Sequence, residues 1–281
     1  MERTYILLCI APSMLTTIIS KSRQMKNKVK IILIDIAFPV LGLGMFLLLW
    51  FVMSKIINLE LILPTPYNTI KSLFFLLSYN EFWVAVSNTI TNSLISYCCS
   101  LLAAFLLAIL GYIIFYVQKI LNPIISILRS IPTMAIILLL LIWFNSKIAP
   151  MIISALVVFP LLYSSFNNAL KQVSVELIDM SNYYNVPKFR QITYLYIPSM
   201  MPTMLSAIQS TISLNLKVLI AAEVLAATKD SIGRMMQTAK LYLDTAELIA
   251  WTVVAIVLGA LLESIIAFIK YIVVRRTGNG S

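Results

Sequence analysis

The apolar residues of this chain fall in long runs and do not mark single faces of water-exposed helices. Six runs stand out, at about 31–53, 94–117, 120–144, 149–166, 204–227 and 249–274. Crossing the hydrocarbon core of a bilayer as helix takes about 20 residues, so each run predicts a transmembrane helix. The third is interrupted by Pro123, Arg129 and Pro132. That predicts an interfacial turn first and a span that starts near Ile131. Ahead of the second run, residues 61–86 hold Pro64 and Pro66 and then an amphipathic stretch through Trp83. This predicts a helix on the outer surface, with Tyr and Trp at the membrane interface. The expected fold is all-α and polytopic, with about six transmembrane helices.

Composition agrees. Sixty per cent of the 281 residues are hydrophobic and 11% charged, against about 25% charged in soluble domains. There is too little charge to coat a water-facing surface. The net charge of +10 would suggest nucleic-acid binding in a soluble domain. Here Lys and Arg gather between the apolar runs. With the N-terminus inside, 14 of them fall on the cytoplasmic side and 6 outside. This asymmetry predicts a multi-pass plasma-membrane protein with both termini cytoplasmic and no nucleic-acid partner. It also puts the longest hydrophilic connection, 167–203, in the cytoplasm. Cys9, Cys98 and Cys99 sit in apolar runs and there is no His. No zinc or disulfide spacing exists, and neither metal nor Ser-His-Asp chemistry is expected.

Residues 5–19 are apolar but short for a span, and their basic cluster follows them, the reverse of a signal peptide. Residues 1–24 therefore read as an extension without a transport role, as an interfacial helix, or as a seventh span. The domain reading is an N-terminal extension at 1–30, a membrane domain at 31–276 and a tail at 277–281.

The 167–203 connection is the informative segment. Val175, Ile178, Met180 and Tyr183 give a first short helix an apolar side. Asn185 stands where the chain must turn, and Asn tolerates the left-handed conformation. Pro187 suits the first turn of a second helix. Phe189, Ile192, Leu195 and Tyr196 give that helix an apolar face at 3/4 spacing. Pro198 and Pro202 mark re-entry into the membrane.

This segment resembles the "EAA" loop of binding-protein-dependent ABC importer permeases: Glu-Ala-Ala, three residues, Gly, nine residues, then Ile-x-Leu-Pro. Asp179-Met180-Ser181 stands for Glu-Ala-Ala, Asn185 for the Gly, and Leu195-Tyr196-Ile197-Pro198 for the last element. The spacing is kept while the residues differ, Met180 for Ala being the least conservative change. Further stretches are similar to the nitrate, sulfonate and taurine branch. They are Leu63-Pro64-Thr65-Pro66, Arg129-Ser130-Ile131-Pro132, Leu141-Ile142-Trp143-Phe144, Ala222-Glu223-Val224-Leu225 and Ser231-Ile232-Gly233.

The resemblance implies a type I ABC importer permease fold with a cytoplasmic coupling helix. It implies two permease copies, as a homodimer, forming the solute pathway, with two ATPase subunits and an extracytoplasmic solute-binding protein as partners. The helix around 179–184 would dock into the ATPase, with Glu176, Asp179, Met180, Ser181, Tyr183, Tyr184, Asn185 and Pro187 as the coupling residues. ATP and Mg belong to that partner. The chain has no Gly-x-x-x-x-Gly-Lys-Ser/Thr loop, so it is not expected to be the enzyme and carries no cofactor. The branch implies a small anion such as a sulfonate, taurine or nitrate. A vitamin or precursor, such as the thiamine pyrimidine or riboflavin, is the alternative.

Polar residues within the runs are candidate pathway residues by default. Ser206, Ser210, Ser213 and Lys217 share one face of the fifth helix, and Asn88, Asn92, Ser96 and Ser100 form a stripe on the second. Both stripes suit a hydrated pathway. Both also suit helix–helix packing, which commonly uses small and hydroxyl residues. Lys217 either meets an anionic solute or pairs with Glu263, and Glu263 is alternatively a dimer contact. Glu223 is either a structural hydrogen-bonding group or a solute contact. Asp35 pairs most simply with Lys28 or Lys30. A secondary transporter would need no ATPase-docking loop and often shows repeated halves. An intramembrane enzyme needs paired reactive groups. Neither signature is present.

Overall fold

The computed structural model describes residues 37–278, which form helices and turns with no strand among them. The extension at 1–30, Asp35, its basic neighbours and the last three residues lie outside the described residues. The chain divides into two units, one ending at Pro66 and one beginning at Tyr67.

In the first unit, α1 (Ala37–Ile57) is a 21-residue apolar helix long enough to span. The chain turns at Asn58 with φ 48°. Trp50 Nε1 then donates to the Pro64 carbonyl at 3.1 Å and Ser54 Oγ to the Leu63 carbonyl at 3.0 Å. The Leu-Pro-x-Pro stretch is thereby tied back to the end of α1.

The second unit contains α2 (Pro66–Leu77), α3 (Asn80–Ile113), α4 (Phe115–Ser130), α5 (Thr133–Trp143), α6 (Ala149–Lys171), α7 (Val175–Tyr183), α8 (Lys188–Gln191), α9 (Ile197–Ala226), α10 (Ile232–Leu241) and α11 (Thr245–Gly278). Among the described residues five helices are long and apolar enough to span, or six if α4 and α5 count as one broken span.

Three sequence expectations are corrected. The amphipathic stretch ends at Leu77, and Trp83 lies in the first turns of α3. That helix begins 14 residues before the predicted run (94 minus 80), because Glu81, Ser87, Asn88 and Asn92 dilute the hydropathy without breaking the helix. The third run is a pair of helices bent by 99° and not a span starting near Ile131. Ile131, which precedes Pro132, takes ψ 129° and leaves the helix. The following α5 has 11 residues, about 16 Å of rise, too short for a core of about 30 Å. Pro198 and Pro202 do not break the chain. A π turn at Ile192–Tyr196 joins α8 to α9, and the Ile197 N–H reaches back to the Ile192 carbonyl. This widened turn accommodates the missing donor of Pro198.

The core of the second unit is the packing of α3, α6 and α9. Ser93, Ser96, Ser100, Ala104, Ala108 and Gly111 of α3 are all buried, and such small side chains let helices approach closely. Phe166, Leu162 and Tyr163 of α6 and Met200, Ala207 and Ile212 from the α9 side fill the seam. A second cluster sets Phe82 of α3 on Trp251 of α11, with ring centroids 5.1 Å apart, beside Leu216, Ile220 and Ile232.

Candidate functional site

The α7 segment projects from the end of α6. Its first turn is closed by Ser174, whose Oγ accepts from the Leu177 N–H at 3.2 Å, and Glu176 lies in that turn, where a negative charge opposes the helix dipole favourably. Its end is a Schellman turn. Asn185 takes φ 49°, its N–H donates to the Asn182 carbonyl, and the Val186 N–H donates to the Ser181 carbonyl, both at 3.0 Å. Gln191 braces the bend, its Nε2 reaching Asn182 Oδ1 and the Val186 carbonyl, each at 3.0 Å.

Ile178 is the α7 side chain that reaches the core cluster, and Ser181 is half-buried beside it. Glu176, Asp179, Met180, Tyr183, Tyr184 and Asn185 are exposed, Tyr183 at 82%. Pro187 caps α8 one residue ahead of its first turn, and Phe189 is exposed, apart from the buried Tyr196 and half-buried Ile192 and Leu195. The apolar face predicted for the second helix therefore excludes Phe189. The result is a short helix with an unpartnered surface of Val175, Met180, Tyr183 and Tyr184, anchored from behind by Ile178.

The polar residues of the spans separate into three groups. Thr89, Ser93, Ser96 and Ser100 are buried on α3; Ser96 and Ser100 belong to the predicted stripe, whereas its first two members are not buried, Asn88 being exposed and Asn92 half-buried. Asn215 of α9, fully buried, donates through Nδ2 to the Ser93 carbonyl (3.0 Å), with Ser93 Oγ at 3.1 Å and Ser96 Oγ at 3.2 Å. Ser154 of α6 adds a bond to Ser96 at 3.0 Å. Asn215 and Ser154 were missed in the sequence. The signal was a lone amide within the apolar positions Ile212, Leu216 and Leu219.

Glu223 forms the second group. It is fully buried and accepts from Thr89 Oγ1 (3.0 Å) and the Gly233 N–H (3.3 Å), while the Ile232 N–H donates to Thr89 Oγ1 at 3.0 Å. The carboxylate pins the start of α10 to α3, which is a structural role. Gly233 is required there, because a Cβ would lie 2.5 Å from Val224 N and 2.7 Å from the Glu223 carbonyl carbon.

The third group is exposed. Ser206, Ser210 and Lys217 lie on the open face of α9, and Ser213 is buried, donating to Glu263. Lys217 has no carboxylate partner among the described residues, so the pair considered between Lys217 and Glu263 is not formed.

Three cavities lie at successive levels along α6. At its N-terminal end, Asn88, Asn92, Ser146, Lys147, Thr228 and Lys229 line one of about 300 Å³, where Asn88 Nδ2 donates to the Asp230 carbonyl at 3.0 Å. Midway, Ile131, Ile136, Pro160, Leu161, Leu214 and Val218 line a mainly apolar one of about 310 Å³. Nearer α7, Asn122, Ser126, Ser130, Ser164, Asn167 and Asn168 line a polar cleft of about 520 Å³. Arg129 borders the last two.

The profile of the family described as "Binding-protein-dependent transport system inner membrane component" matches residues 100–279, well over half of the chain and all of α4 to α11. The chain belongs to this family. It is a permease of an ABC import system and a multi-pass component of the inner membrane. Among curated relatives, the permease is 23% identical over 228 residues to the taurine transport system permease protein of Escherichia coli K12, covering 79% of this chain and 82% of that one. It is 20% identical over 210 residues to a Bacillus subtilis (strain 168) protein described as an aliphatic sulfonates transport permease, covering 74% and 76%. In solved structures, the inward-facing MetNI methionine ABC transporter aligns with TM-score 0.62 and 15% identity over 70% of this chain and 99% of that one. A bacterial alginate importer aligns with TM-score 0.59 and 18% identity over 86% and 97%. These likenesses establish the type I importer permease fold.

Proposed function

We propose that this permease forms, as a homodimer, the solute pathway of an importer driven by two copies of a separate ATPase subunit and supplied by an extracytoplasmic solute-binding protein. The carrying observation is α7: a capped helix at the end of α6 whose outward surface is apolar and unpartnered. An exposed apolar patch of this kind marks a protein contact. Glu176, Asp179, Met180, Ser181, Tyr183, Tyr184, Asn185 and Pro187 form or shape the surface that meets the ATPase, and ATP and Mg are bound and consumed there. Both termini are cytoplasmic, as is α7, on the strength of the Lys and Arg asymmetry.

The solute is a small organic anion of the sulfonate or taurine class, a reading supported by the names of the relatives and by Arg129, which borders two cavities lined by no acidic residue. Asn88 and Asn92 lie at the outer mouth, and Ser206, Ser210 and Lys217 on the open face of α9. Ser96 and Ser213 hold helices together beside that route. Purifying the tagged chain in mild detergent, with mass spectrometry and an ATPase assay, tests the assembly. A co-purifying ATPase subunit is expected. A folded chain that purifies alone and hydrolyses no ATP would make a secondary transporter the better reading.

A further inference from the structure

We infer that Arg129 is the head-group contact of a two-part solute site, a polar cleft beside an apolar pocket, which takes organic anions with an aliphatic tail. The inference rests on the importer reading and specifies its site.

Arg129 ends α4 just before the 99° break. Its guanidinium donates to Ser164 Oγ at 3.4 Å, and among the described residues it has no carboxylate partner. Arg129 is an exposed cation at the cytoplasmic end of the membrane domain, and its planar fork suits the oxygens of a tetrahedral or planar anion. The cleft on one side of it offers neutral donors, Asn122, Ser126, Asn167 and Asn168, and no acidic residue. Tyr163, which also lines that cleft, is buried with its hydroxyl unpartnered.

The pocket on the other side of Arg129 is lined by Ile136, Pro160, Leu161, Leu214 and Val218. An inorganic anion would leave it unused, whereas a sulfonate head at Arg129 directs an alkyl tail into it. From Val157 to Asn168 the two compartments cover about 16 Å of α6, enough for a short-chain amphiphile.

The test uses the assembled importer in proteoliposomes, with Cys9, Cys98 and Cys99 replaced by Ser and Ser164→Cys introduced. Labelling by 2-sulfonatoethyl methanethiosulfonate is compared with its trimethylammonium counterpart, each relative to its rate on a free thiol. The anionic reagent is expected to be favoured about tenfold, the ratio equivalent to about 1.4 kcal/mol, and Arg129→Gln to remove the preference. Linear alkanesulfonates should protect the cysteine, the half-protecting concentration falling about fourfold per methylene. Val218→Trp should flatten that series while leaving the charge preference intact. Equal labelling by the two reagents, or protection independent of chain length, overturns the inference. Uptake is measured on the same vesicles. If no sulfonate is imported while charge preference and chain-length dependence persist, the organic-anion site stands and the sulfonate reading falls.

Discussion

Replacing Asn185 by Val perturbs the α7 turn at one backbone position. Asn185 sits at φ 49°, a region that costs an L-residue about 1–2 kcal/mol and that a β-branched side chain tolerates least. Moving it out of that region breaks the two 3.0 Å bonds that close the turn on Ser181 and Asn182. The helix has little reserve. Nine residues are fewer than the ~12–15 that an isolated helix needs, and its other supports are the Ser174 cap, the Gln191 brace and one half-buried side chain, Ile178. A loss of about 1.5 kcal/mol lowers the population of the formed helix relative to the unformed one about tenfold. In proteoliposomes containing the ATPase and binding protein, Asn185→Val should cut transport per ATP hydrolysed by a comparable factor at unchanged membrane abundance. Asn185→Gly, which keeps the left-handed turn without a Cβ, should remain near the parent. Equal coupling in the Val and Gly variants would show that the turn does not set the docking geometry.

Two further substitutions probe the membrane core. Gly233→Ala should lower the thermal midpoint in detergent by the equivalent of about 2 kcal/mol, since the contacts a Cβ would make are with the Glu223 Cβ and with α9 backbone atoms, none of which can step aside; an unchanged midpoint refutes that close approach. Asn215→Leu should be tolerated within about 1 kcal/mol, because it also removes the unpartnered Oδ1, whereas Asn215→Asp should cost about 3 kcal/mol by burying a charge. An Asp variant as stable as the parent would mean that water reaches this position.

The sequence alone determined the environment, the helical class and the bend between α7 and α8. Apolar runs longer than a bilayer is thick have one solution in lipid, because every backbone polar group must be bonded within the segment. The α7–α8 bend was equally legible: a left-handed turn needs Gly or Asn, and Asn185 stood at the spacing the family keeps. What periodicity could not decide was which side of a helix meets protein, lipid or solute, since all three accept apolar residues and small hydroxyls. Asn88 and Asn92 sit one position, or about 100° of rotation, from the buried Thr89 and Ser93, and only the positions of α6 and α9 show that Ser96 and Ser100 of the same predicted stripe are sealed in. Likewise the sequence showed Arg129 only as a cytoplasmic basic residue heading the Arg129-Ser130-Ile131-Pro132 stretch. The 99° break and the packing of α4 and α5 against α6 set it between a polar cleft and an apolar pocket, a juxtaposition of residues more than 80 positions apart that no local pattern encodes.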